Sequence, residues 1–224
     1  CAFHHAGDAE LLAHDLDDLA GGTCHGLDRQ RGEEPRHGAA DQEADEDHRH
    51  GNANAGGRHL LERIEQQFGV PGSIVVAIWG LETDFGVNQG KQSVLRSLAT
   101  LAHDCRRTER FQNELTEALR ILDSGDYTPD QLKGAWAGEI GQTQFLPSSY
   151  VKFAVDFDSN GKRDLIRSVP DVLASTANFL KGHGWKAGEK FNEGSANFEV
   201  LKEWNKSSVY QKTIAAFAAK LDAE

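Results

Sequence analysis

From residue 59 onward, apolar positions recur at helical spacing. Leu60, Leu61, Ile64 and Phe68 mark a first helix that Gly69 ends. Pro71 opens a second, with Ile74, Ala77, Ile78, Leu81 and Phe85 on its buried face and Gly86 beyond. Val94, Leu95, Leu98, Leu101 and Ala102 define a third, and Phe111, Leu115, Ala118, Leu119 and Leu122 a fourth. Thr128-Pro129-Asp130-Gln131 reads as a capped helix start with proline in the first turn. A glycine-rich stretch covers 134–141, and another helix is expected near Pro147. Asp156 to Asp164 is a polar turn. Ser168 opens a helix through Val172, Thr176 and Leu180, closed by Gly182-His183-Gly184. Residues 186–196 read as a loop and 209–221 as a last amphipathic helix. The one strand signal is Asn197 to Leu201. The pattern predicts a mainly α globule over 59–224.

Residues 1–58 differ. They hold 13 Asp and Glu against 5 Arg, and no Val, Ile, Tyr, Trp, Ser or Lys. Such a stretch buries too little apolar area to offset its ordering entropy, so it is expected to be disordered. A short helix over 10–19 is the exception. Eight of ten histidines lie before residue 60, without the spacing of a structural zinc site. There is no methionine, so the chain is expected to be a fragment or to lack its own start. The net charge of -11 argues against a nucleic-acid partner. The longest apolar run, Ile74 to Trp79, is far short of a membrane span. Three cysteines make no disulfide framework.

Three constellations carry possible chemistry. Glu82, in Trp79-Gly80-Leu81-Glu82-Thr83-Asp84-Phe85-Gly86, ends the most hydrophobic helix. A carboxyl held against apolar neighbours favours its acid form, as a general acid requires. Periodicity alone favours a glutamate on the solvated side of an amphipathic helix. Asp84 is a second acid, but two residues along a helix it points elsewhere. The second is 134–150, where closely spaced glycines let backbone approach a ligand or another strand. Gln144, Ser148, Ser149 and Tyr150 offer neutral hydrogen bonds beside aromatic surface, a mixture suited to a sugar or to a packed turn. The third, Asp156-x-Asp158-x-Asn160-Gly161-x-x-Asp164, reads like the first nine positions of an EF-hand loop. Its twelfth position is Arg167 in place of the bidentate glutamate, so an Asx-rich turn without metal is the rival reading.

The segments IWGLETDFG, LATLAHDCRRTERF, LKGAWAGEIGQTQFLPSSY, VDFDSNGKRDL and ANFLKGHGW, with the tail NFEVLKEWNKSSVYQKTIAAFAAKL, resemble the membrane-bound lytic murein transglycosylase B family over 59–224. Nothing in 1–58 shows the likeness. The resemblance implies a lysozyme-like fold with the glycine-rich segment in its cleft. It implies cleavage of the MurNAc–GlcNAc β-1,4 bond of peptidoglycan, leaving 1,6-anhydroMurNAc ends, with Glu82 as single acid and base. It places Arg106, Arg107, Gln144, Tyr150, Asn205 and Tyr210 at the substrate. Ala135 departs from the family, some members of which have serine there. A calcium loop of this type would use Asp156, Asp158, Asn160, the main-chain oxygen of Lys162, Asp164 and Asp171, with calcium structural and no cofactor needed for chemistry. Peptidoglycan strands are the implied partner and the periplasmic cell envelope the implied location. A non-catalytic peptidoglycan-binding module and a lysozyme-type hydrolase are the alternatives.

Overall fold

The computed structural model describes residues 56–104 and 107–223. The chain divides into two units, 1–60 and 61–224. The disorder expected for 1–58 and the short helix over 10–19 lie almost wholly outside the described residues, and only 56–58 can be compared. These three are helical, so the first helix, α1, covers 56–68.

Unit 61–224 is built from helices in the expected order. They are α2 (Gly72–Thr83), α3 (Val94–His103), α4 (Thr108–Asp123), α5 (Pro147–Phe153), α6 (Val169–Gly182), α7 (Ala196–Trp204) and α8 (Ser208–Leu221). Serine starts four of them. The side chains of Ser93, Ser168, Ser195 and Ser207 accept the N–H of Arg96, Asp171, Phe198 and Tyr210, each satisfying an orphan donor of a first turn. Helix α5 is begun differently. Its Ser148 N–H and hydroxyl both donate to Glu114 of α4, at 2.9 and 2.8 Å. That carboxylate is 6% exposed, so α4 carries the cap of a neighbouring helix.

Helix α2 is the centre of the core. Ile74 to Trp79 are all buried, as befits a helix with apolar residues all round. It packs against α6 and α8, α3 packs on α4, and α4 on α5. A two-stranded antiparallel sheet pairs β1 (Gln92–Ser93) with β2 (Lys133–Gly134). Gly134 is buried there, and a Cβ at this position would lie 1.8 Å from the Glu139 carbonyl oxygen. Gly141 needs its glycine for two reasons. Its φ is +73°, and a Cβ would lie 2.1 Å from the Leu165 carbonyl oxygen.

Two expected elements differ. Thr128 to Gln131 makes one turn and no helix. The Gln131 N–H bonds back to the Thr128 carbonyl while the Gln131 side chain accepts the Thr128 N–H. The cap is present, but the fully buried Leu132 leads straight into β2. Asn197 to Leu201 is helical, within α7. The alternation of Phe198, Glu199 and Val200 mimics a strand. The Ser195 cap and the buried Asn197, whose amide holds the backbone of Lys186 and Glu189, fix a helix start instead.

Candidate active site

Helix α2 ends at Thr83, and Asp84 closes it in the left-handed conformation with φ 54°. The Thr83 hydroxyl donates to the Gln142 carbonyl and accepts the Gly86 N–H at 2.9 Å. Gln142 clasps the same helix from its side chain. Its Oε1 accepts the Trp79 indole N–H at 2.8 Å and its Nε2 donates to the Ile166 carbonyl at 3.1 Å. The glycine-rich segment is thereby held against the end of α2, which presents Glu82 to a pocket of about 140 Å³.

Thr143, Gln144, Phe145, Ser149, Phe179 and Trp204 line this pocket with Glu82. Glu82 Oε1 accepts two hydrogen bonds, from the Trp204 indole N–H at 2.8 Å and the Tyr210 hydroxyl at 2.9 Å. Trp204 is oriented by edge-on contacts with Phe145 and Phe179, centroids 5.6 and 5.0 Å away. Oε2 has no donor among the described residues, so a proton on this carboxyl belongs on Oε2. Burial raises the Glu82 pKa above its ordinary value. The Trp204 and Tyr210 donors pull it down, the charge of Glu139 pushes it up, and the net shift is upward. The Tyr210 hydroxyl is pushed well above the usual range, first by burial and then by Glu82, so it remains a donor.

The other residues read as substrate contacts divide. Gln144 lines the pocket with a left-handed backbone, φ 54°. Its Nε2 donates to the Gln89 and Gly141 carbonyls, leaving Oε1 toward the cleft without a protein partner among the described residues. Asn205 caps α7. Its Oδ1 accepts the Ser207 N–H and its carbonyl the Gln211 amide, so it shapes the corner between Trp204 and Tyr210. Arg107 is exposed at the start of α4, and Arg106 lies outside the described residues. Tyr150 is a correction. It is fully buried, with its hydroxyl on the Arg163 carbonyl, because α5 turns that face to Tyr127 in the core. Asp84 is exposed beyond the end of α2. Trp204 and Gln142 escaped the sequence reading. Trp204 lies in the C-terminal motif, but its role requires that position 204 meet position 82. Glu203, which also lines the pocket, pairs with Lys206 at 3.2 Å.

In the 156–171 loop, the carboxylates of Asp156, Asp158 and Asp171 come within 4.8 Å of one another. The Asn160 amide oxygen accepts the Lys162 N–H, and both Asp156 oxygens accept loop N–H groups. Asp171, pushed up first by burial and also by the charge of Asp158, is buried beneath the loop. Three clustered carboxylates of which one is buried form a donor set suited to a hard cation. Asp164 does not join them. Its carboxylate turns inward to the Tyr127 hydroxyl, the N–H groups of Ile166 and Arg167, and the Arg167 guanidinium.

The helices and the cleft glutamate define a lysozyme-like domain. A profile of the transglycosylase SLT domain family matches residues 44–193, and the chain belongs to that family. The match begins inside the segment read as unlike the family and stops before the α7–α8 corner. Membrane-bound lytic murein transglycosylase B of Escherichia coli (strain K12) is 43% identical over 131 residues, 58% of this chain and 36% of that protein. SltB3 of Pseudomonas aeruginosa, solved with NAG-NAM-pentapeptide, superposes with a TM-score of 0.71 at 31% identity over 76% of this chain and 62% of that one. Slt35 of Escherichia coli, solved with calcium, gives a TM-score of 0.68 at 28% identity over 74% of this chain and 70% of that one. The aligned chain thus spans about a third of that murein transglycosylase and under two thirds of SltB3.

Proposed function

We propose that the chain is a lytic transglycosylase acting on the MurNAc–GlcNAc bond of peptidoglycan in the periplasm. The observation that carries this reading is the asymmetry of Glu82. Two donors hold Oε1, and Oε2 is left to carry a proton into the cleft. Burial favours the protonated form, so Glu82 serves as general acid to the glycosidic oxygen. The leaving proton makes it a carboxylate, still held by Trp204 and Tyr210, which then takes the proton of the MurNAc 6-hydroxyl as that oxygen attacks C1. An attacking group already bound needs no diffusional encounter. Gln144 Oε1, Ser149 and Thr143 line the path of the sugar, and Arg106 and Arg107 are the residues assigned to its carboxylates.

Asp156, Asp158, Asp171, the Asn160 amide oxygen and the Lys162 carbonyl would hold a calcium ion. Bound there, it supplies loop stability and no chemistry.

A second reading is favoured by Glu203, a further carboxylate lining the Glu82 pocket. A hydrolase would use such an acid to activate water, as glycosidases generally use a carboxylate pair. Digestion of purified sacculi separates the two. Transglycosylase products carry 1,6-anhydro ends and are about 18 Da lighter than hydrolysis products, the mass of the water not added. Predominantly reducing MurNAc ends would overturn the first reading, and release of no muropeptides would leave a binding module.

A further inference from the structure

A second cavity lies away from Glu82 and is larger than the pocket there. A groove of about 640 Å³ lies between β1, α3, Lys133 and Trp136, and none of its lining residues lines the Glu82 pocket. Three of those residues are cations, Lys91, Arg96 and Lys133, and none is an acid. Among the described residues, none of the three pairs with a carboxylate. Such a cluster stands against the charge of the whole chain, which is -11. Beside it Trp136 is 67% exposed, the most exposed aromatic side chain among the described residues. A large aromatic ring left in water next to unpaired cations is an unpartnered contact surface with both an apolar and an anionic requirement. Ser97 and Gln92, joined by a 3.4 Å hydrogen bond, add neutral polar groups.

The groove and the cleft share a wall. Segment 134–145 gives Trp136 to the groove and Gln144 and Phe145 to the cleft. The Gln89 carbonyl accepts the Gln144 amide, and Lys91, two residues on, lines the groove. In an intact strand the lactyl carboxyls are amide-linked to the peptides, so the carboxylates free to pair with three cations lie on those peptides. The chain's acidity and the short reach of the cluster argue against a polyanion such as a nucleic acid.

We infer that this groove binds the carboxylate-bearing stem peptide of the glycan strand whose sugar occupies the cleft, with Trp136 packing on its apolar part and Lys91, Arg96 and Lys133 facing its carboxylates. The inference rests on the peptidoglycan reading above. An acidic peptide held in a cationic groove also gives binding that weakens as salt rises.

Two measurements test it. The first is kcat/KM on peptide-bearing strands divided by kcat/KM on the same strands stripped of peptide by an amidase, for the wild type, Lys91→Glu with Arg96→Glu, and Trp136→Ala. Each exposed ion pair is worth a factor of a few, so double charge reversal should lower this ratio about tenfold, and Trp136→Ala should lower it as well. A ratio equal to that of the wild type in both variants would overturn the proposal. The second needs no turnover. The indole N–H resonance of Trp136, identified through Trp136→Phe, should shift when a free acidic tetrapeptide is added, and less with its fully amidated form. If the wild type cleaves neither substrate, the transglycosylase reading has failed, and the resonance alone then decides the groove. No shift with the acidic peptide, or equal shifts with both peptides, overturns it.

Discussion

At Glu82, two hydrogen bonds and burial act in opposite directions on one carboxyl. Glu82→Gln should abolish nearly all turnover, since an amide can neither give nor take the proton. Muropeptide release should fall by about 10²–10⁴-fold. The same substitution should not destabilise the protein at neutral pH. The glutamine Oε1 still accepts from Trp204 and Tyr210, and the cost of burying a charge disappears. The sign follows from linkage. The folded pKa lies above the unfolded one, so the stability carried by protonated Glu82 is complete below the ordinary value of 4.5. It is lost as pH rises through the folded value. Glu82→Gln should therefore match or exceed the wild-type Tm at pH 7, with the difference vanishing in acid. Calorimetry across that range checks this, and a lower Tm at pH 7 would contradict it.

The proposed mechanism needs the acid form, so the rate should fall on the alkaline side as pH passes the raised Glu82 value. Trp204 and Tyr210 donate to the ionised carboxylate most strongly and hold that value down. Trp204→Phe or Tyr210→Phe should then move the alkaline limb of the kcat/KM profile upward while lowering its height. A purely packing role for these rings would lower the height and leave the limb in place.

Among the elements, α5 depends on a cap that its own sequence does not supply. Glu114→Ala removes the acceptor of the Ser148 N–H and hydroxyl and should cost about 1–3 kcal/mol in denaturant unfolding. Glu114→Gln, which keeps one acceptor, should cost less. The loop from Asp156 to Asp171 is tied to the end of α4 by Arg163, whose guanidinium pairs with Asp126 at 2.5 Å. Burial would raise the Asp126 carboxyl, but the combined hydrogen bonds from Arg163 and Ser124 hold it below the usual range. On the proposed calcium site, calcium should raise the Tm by mass action, because the loop that would hold it is formed only in the folded chain. Absence of a shift at millimolar calcium would favour the Asx-turn reading.

Helices were readable where apolar periodicity ran over several turns, as in α2, α3, α4, α6 and α8, with Ser168 marking the start of α6. They were not readable where tertiary contacts decided. Thr128 to Gln131 has the chemistry of a helix start, yet burial of Leu132 ends it after one turn. Tyr150 has the composition of a sugar contact, but a helix of seven residues gives no periodicity to say which way it faces. Glu82 was singled out from its motif, and it lines a pocket. Its donor Trp204 was not: Tyr210, as far away in the chain, was reached through the family resemblance, whereas nothing local marks Trp204 as a partner of Glu82.

At the scale of the molecule, the acid and its environment come from distant parts of the chain. Glu82 lies on an early helix, the wall at Gln144 comes midway, and Trp204 and Tyr210 come from α7 and α8. A ribosome makes these in order. Until α7 and α8 emerge and α8 packs on α2, Glu82 lacks both donors to Oε1 and the cover that removes it from water. A growing chain therefore carries Glu82 without the hydrogen bonds and burial that set its proton affinity in the finished one. On the proposed function, the order of synthesis itself keeps the acid idle until the fold that aims it is complete.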